Sequence, residues 1–120
     1  MAGKQIGEFS FKFTSFRYTA GPAGSVFIEG NCEGTATGYG TVLGTLTAVG
    51  GKGGTLGWCA SGHLDNGDQL FGQGTGMYES VGKHRWRTKL AIQISDGRSI
   101  LAEGEADLAT RSWNGTIFEN

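Results

Sequence analysis

Tyr78 and His84, the thiols Cys32 and Cys59, and a second imidazole at His63 are the side chains of this 120-residue chain whose types could carry chemistry. An imidazole beside a phenol can orient a carbonyl or move a proton, provided both face one enclosed space. A thiol attacks as thiolate and needs a base or cation beside it. None is placed beside Cys32 by the strand registers derived below, so a small buried hydrophobe is the expectation there. Two histidines and two cysteines at these separations form no metal-ligand spacing, and neither a metal nor another cofactor is expected. The run Lys83, Arg85, Arg87, Lys89 invites a phosphate-binding reading, but an electrostatic footprint needs charge that nothing cancels. The glycine-rich stretches Gly50 to Gly54 and Gly72 to Gly76 have no helix after them to present its N-terminus to a phosphate.

Composition narrows the classes further. At 38% hydrophobic and 18% charged residues the chain can form one modest core and is too apolar for disorder, so residues 1–120 read as a single domain. A net charge of -1 gives no long-range reason to expect nucleic acid or an anionic membrane as partner. No apolar run reaches the length of a membrane span. Met1-Ala2-Gly3-Lys4 lacks the basic segment and apolar core of a secretory signal, so a cytoplasmic location is expected, with both thiols free.

The elements that must position these residues are strands. There are 23 glycines and one proline, and the glycines interrupt stretches that alternate apolar and polar with period two, as glycines at turns and bulges of a sheet do. Phe9, Phe11 and Phe13 share one face, opposite Glu8, Ser10, Lys12 and Thr14. Val26, Ile28, Cys32 and Ala36 share another, and Val42, Leu46 and Ala48 a third. No segment shows helical spacing. The fold class is all-β: an antiparallel up-and-down meander of about eight strands, closed into a small barrel that buries its apolar face and removes exposed edges.

Three loops share one pattern: Asp65-Asn66-Gly67, Ser80-Val81-Gly82 and Ser95-Asp96-Gly97. A three-residue hairpin loop is a type I turn followed by a left-handed residue, a place that suits glycine. This predicts Leu64 opposite Asp68, Glu79 opposite Lys83, and Ile94 opposite Arg98. Counting outward sets Lys89, Arg87 and Arg85 against Glu103, Glu105 and Asp107, which cancels the basic run. It sets Trp58 against Gly74, Leu56 and Trp86 against Gly76, and His84 against Tyr78. Two-residue turns at Asn66-Gly67 and Asp96-Gly97 would shift register by one and bring Leu90 opposite Glu103, so they are rejected.

On these registers Leu56, Trp58, Leu70, Tyr78, His84, Trp86, Leu90 and Ile92 point inward, and His63 outward. Tyr78 and His84 form the candidate catalytic pair, at the barrel end beneath the loops near 21–24, 50–54, 80–82 and 109–111. Trp58, Trp86, Cys32, Thr88 and Gly74 are the candidate ligand-binding residues. The simpler reading of Tyr78 and His84 is a hydrogen-bonded plug closing that end. The column Gly72, Gly74, Gly76 likewise has two readings: it accommodates the rings of Trp58 and Trp86, or it leaves room for a ligand against them.

With its whole-chain meander and glycine-spaced strands ending in Ile100-Leu101-Ala102-Glu103-Gly104-Glu105 and Trp113-Asn114-Gly115-Thr116, the chain resembles the small β-barrels of the allene oxide cyclase-like group, which includes dirigent-type proteins. The resemblance is one of layout over most of the chain, and no functional residue matches position by position. It implies guided cyclisation of reactive hydrophobic intermediates inside the barrel, and dimers or trimers. The expected function is therefore binding of a small, largely apolar molecule, with cyclase or isomerase activity through control of its conformer. The alternative is a non-catalytic module whose interior is filled by its own side chains. For either, a homo-oligomer is expected, because Phe71, Leu43, Val49, Leu101 and Phe118 fall on the nominally polar face.

Overall fold

The computed structural model describes residues 3–120. Eight strands follow one another: β1 (Gln5–Ala20), β2 (Val26–Ala36), β3 (Gly40–Val49), β4 (Gly53–His63), β5 (Gln69–Gly82), β6 (Arg85–Ile94), β7 (Ser99–Asp107) and β8 (Ser112–Glu119). Each pairs antiparallel with the next, and β8 returns to β1, so the meander closes into a barrel. Among the described residues the only helical segment is the single turn Pro22–Gly24, and no helix is long and apolar enough to cross a membrane.

Period-two patterning becomes the inside and outside of the barrel. Phe9, Phe11, Cys32, Val42, Leu46, Leu56, Trp58, Leu90, Ile92, Ile100, Ala102, Trp113 and Ile117 are buried within it. The expected cross-strand charges lie outside on β6 and β7, where Lys89 faces Glu103, Arg87 faces Glu105 and Arg85 faces Asp107. Ion pairs form both directly and diagonally: Lys89 with Glu103 at 3.8 Å, Arg85 with Glu105 at 3.5 Å, and Arg87 with Glu79 at 3.0 Å. These side chains are substantially exposed, so the pairs add little stability; they do neutralise Arg85, Arg87 and Lys89 of the basic run. Leu43, Val49 and Phe71 are exposed on the outer face, and Leu101 and Phe118 are half-buried there.

Two of the three hairpin loops have the expected build. Leu64 and Ile94 donate their N–H groups to the carbonyls of Asp68 and Arg98, both at 2.9 Å. Gly67 and Gly97 take the left-handed conformation, with φ of 95° and 96°. The side chains of Asn66 and Asp96 accept from the backbone N–H groups of Asp68 and Arg98, which fixes both turns further.

The β5–β6 loop departs from expectation by four residues. The turn lies at Lys83 and His84, His84 takes the left-handed φ of 56°, and Val81 is left over as a bulge between Ser80 and Gly82. Tyr78 therefore faces Thr88 instead of His84, and Trp86 faces Ser80 instead of Gly76. The longer ladder sets Gly72, Gly74 and Gly76 against Ile94, Ile92 and Leu90, a glycine against each large aliphatic side chain of β6. It also faces Glu79 with Arg87. Because the slip is even, the inward residues that remain in the ladder stay inward; His84 leaves it for the turn and is exposed.

A second irregularity shapes the barrel's open end. Phe13 pairs with Cys32 and Ser15 with Asn31, so Thr14 is an extra residue, a β-bulge. Asn31 pins it: its carbonyl accepts from Thr14 Oγ1, its amide Nδ2 donates to Ser15 Oγ at 2.9 Å, and its Oδ1 accepts from Thr45 Oγ1 at 2.7 Å. Ladder pairing between β1 and β8 ends at Lys12 and Ser112, and beyond Phe13 β1 pairs with β2 alone. The β1–β2 hairpin thus runs past the closed barrel, and the longest dimension of the molecule is 44 Å.

Candidate functional site

Trp113 divides the interior. It is 1% exposed, meets Trp58 edge-on with ring centroids 5.0 Å apart, and lies 5.5 Å from Phe11 and 5.1 Å from Phe9. Phe11 stacks on Trp58 at 5.7 Å. This aromatic cluster fills the middle of the barrel and leaves separate spaces toward its two ends.

The larger space, about 280 Å³, opens at the end carrying the β1–β2, β3–β4, β5–β6 and β7–β8 loops. Phe13, Phe16, Tyr18 and Ile28 from the extended hairpin line it on one side. Leu46, Leu56, Tyr78, Trp86 and Thr88 line it on the other. Phe16 and Tyr18 reach it because the bulge at Thr14 moves the inward face of β1 from odd to even positions. The rim adds Leu108, Asp107 and Arg111. Arg111 is in the left-handed region (φ 54°) and donates to the carbonyl of Leu108, while Asp107 Oδ1 accepts from the N–H of Ala109 at 2.9 Å.

Besides the phenol of Tyr18, which is 63% exposed at the mouth, two buried hydroxyls stand in this largely apolar wall. Tyr78 Oη donates to the carbonyl of Val49, and burial pushes its phenol above the usual tyrosine pKa, so it stays neutral. Thr88, on the strand beside it, is 2% exposed, and its Oγ1 accepts from Trp113 Nε1 at 2.9 Å. The hydroxyl of the wall is thus tied to the indole of the central cluster.

The smaller space, about 60 Å³, lies toward the end that carries the β2–β3, β4–β5 and β6–β7 loops. Trp58, Leu70, Ile92, Ile94, Ile100 and Tyr39 are among its lining residues. Tyr39 is 7% exposed and closes this end like a stopper, with the Arg98 guanidinium 4.6 Å from its ring centroid. Asp96 holds Arg98 from outside at 2.7 Å.

The expected site residues are thus distributed unequally. Tyr78, Trp86 and Thr88 line one cavity, whereas Trp58 lines the other. Cys32 is buried, and burial pushes its thiol up to about 12, which suits packing and not nucleophilic attack. His84 is exposed on the β5–β6 turn and does not meet Tyr78 across the ladder, so the predicted catalytic pair is not assembled. The space over Gly74 belongs to β6: a methyl there would lie 2.9 Å from Ile92 Cα and closer still to the carbonyl oxygen of Ala91. It is Gly44, and not the column on β5, that makes room for Trp58, whose Cζ2 would be 2.8 Å from a methyl at that position. Among the described residues no three of His, Cys, Asp and Glu converge as a metal site would require.

No family model, no curated protein and no solved structure matches this chain. The architecture and the cavity geometry therefore carry the functional reading.

Sequence reasoning missed Phe16, Tyr18 and Arg111 as lining residues and Trp113 as the central partition. A signal for the first two is present in the chain: Phe9, Phe11, Phe13 and then Phe16, Tyr18 changes parity across Thr14-Ser15, as a bulge requires.

Proposed function

We propose that the protein binds a small, largely apolar molecule in the cavity at the open end of its barrel. The observation that carries this reading is the 280 Å³ space walled by Phe13, Phe16, Ile28, Leu46, Leu56 and Trp86, with Tyr78 and Thr88 as its buried hydroxyls and Tyr18 at the exposed mouth. Concave, mostly apolar sites with a few placed polar groups are what small-molecule binding uses, and this volume is near the lower end of their usual range of roughly 300–1,000 Å³. A guest of that size gains by leaving water, while the two hydroxyls fix its orientation. Cyclase or isomerase activity of the kind the layout resemblance implies would run here by confinement of one conformer, since His84 stands apart from Tyr78.

Tryptophan emission tests the reading, because Trp86 lines the cavity. Titration with apolar cyclic molecules is expected to change the emission of the wild-type protein. The change is expected to disappear in Ala48→Phe, which fills the cavity from β3. Absence of any response across a panel of cyclic hydrocarbons, ketones and terpenoids overturns the proposal.

A further inference from the structure

The two buried hydroxyls of the open-end cavity, Tyr78 and Thr88, differ in what they have left to offer a guest. Tyr78 gives its proton to Val49, so only its lone pairs remain. Thr88 is the reverse. Its Oγ1 already accepts the Trp113 indole N–H at 2.9 Å, and among the described residues it donates no hydrogen bond of its own. Trp113, at 1% exposure, is held by aromatic neighbours on several sides, so this bond is fixed in direction. A hydroxyl that must accept on one side has its hydrogen free on the others. Thr88 is itself only 2% exposed and lines the cavity, so its unused donor is sheltered from bulk solvent.

We infer that Thr88 selects the guest by donating to it. The ligand carries a neutral accepting oxygen (a ketone, aldehyde, ester or cyclic ether) on the part that enters deepest. This rests on the reading that the cavity binds an apolar molecule, and it names what that molecule must bear. A neutral oxygen is required because the cavity lining away from the rim, Leu46, Leu56, Trp86 and Ala106 among it, brings no charge. A carboxylate there would lose its hydration for a single neutral donor. The charged members of the lining, Asp107 and Arg111, lie at the β7–β8 loop on the rim. The indole acts at one remove: it positions the threonine hydroxyl and does not touch the guest.

Cyclooctanone and cyclooctane, alike in size and shape, separate this inference from the binding proposal beneath it. Thr88→Val keeps the volume and removes the donor. It is expected to weaken cyclooctanone by about tenfold relative to its effect on cyclooctane, the value of one net hydrogen bond. Comparing the two probes within one variant cancels any general loosening of the cavity. Thr88→Ser is expected to retain the ketone's advantage. Isotope-edited infrared spectroscopy supplies a readout that packing does not move: the bound ketone's carbonyl stretch falls in wild type and Thr88→Ser but not in Thr88→Val. Equal weakening of both probes, or an unshifted carbonyl stretch in the wild type, overturns the inference and leaves apolar binding standing. Failure of both probes to bind wild type overturns the binding proposal and this inference together. If Thr88→Val does not fold, the wild-type carbonyl stretch, compared with the ketone in cyclohexane, decides alone.

Discussion

Replacing Gly76 with alanine tests the β5–β6 packing more sharply than any charge or aromatic substitution would. The added methyl would lie 2.7 Å from the carbonyl carbon of Lys89, 2.8 Å from Leu90 Cα, and closer still to the Lys89 oxygen. All three are backbone atoms and cannot rotate away. The strands would have to part by roughly 1 Å before the carbons regain the ~3.5–4.0 Å of ordinary contact. That separation strains the ladder beside Leu90, which is wholly buried. Overpacking costs about 1–3 kcal/mol, and each weakened ladder hydrogen bond about 0.5–1.5 kcal/mol more. A loss of roughly 3 kcal/mol or more is expected, a large part of the ~5–15 kcal/mol that stabilises a domain of this kind. Gly72→Ala is the matched control, since its methyl would meet side-chain methyl tips of Ile94 and Ile92 at 3.1 and 3.3 Å, and the Gln93 backbone oxygen only at an ordinary 3.7 Å. Those tips can give way, and the stiffer unfolded chain offsets part of what remains, so a change within about 1 kcal/mol is expected. Urea unfolding of both variants at constant m-value reads the difference. Equal effects at the two positions would refute the close approach of β6 to Gly76.

Cys32 is expected to give alkaline unfolding a distinct signature. Burial pushes its thiol from the ordinary 9.0 up to about 12, so the folded state holds the proton longer than the unfolded one. The stabilisation is fully present below pH 9 and fades as pH rises toward 12, by about 1.4 kcal/mol per pH unit. Urea titrations between pH 9 and 12 should show a flatter decline for Cys32→Ala than for wild type, and parallel declines would contradict the buried thiol. His84→Gly should raise stability by about 0.5–1 kcal/mol, because it relieves a left-handed residue. If His84 instead stood within a strand opposite Tyr78, the same change would lower stability, so thermal unfolding reads the register through its sign.

Much of the fold was legible because a few residues over-determine it. Asn66-Gly67 and Asp96-Gly97 fixed two hairpins, and the charged pairs on β6 and β7 confirmed one of them, so errors of one residue were excluded by burial alone. The β5–β6 hairpin escaped this control. A slip of four keeps every face, and Glu79 meets a cation in either register: Lys83 in the expected one, Arg87 in the observed one. Local turn chemistry favoured Gly82 as the left-handed residue. The pairing of Gly72, Gly74 and Gly76 with Ile94, Ile92 and Leu90 won instead, with His84 taking the positive φ. This removed half of the expected catalytic pair while leaving Tyr78, Trp86 and Thr88 on one cavity. Trp113 could not be placed from sequence, because no register was derived for β8; its partition of the interior follows from ring packing that counting along strands does not reveal.

The extra residue at Thr14 separates the shape of the entrance from its chemistry. With Thr14 present, the bulge holds both Thr14 and Ser15 off the inward face, so Phe16 and Tyr18 still point in. Without it, plain alternation would bring the same two aromatic rings inward on a straighter, less twisted hairpin. A one-residue deletion here would therefore change how far the hairpin leans across the entrance and leave every lining side chain in place. If the cavity binds as proposed, aperture and affinity could then drift independently in descendants of this chain: gain or loss of a single codon would reset which guests enter, and substitution elsewhere which ones stay.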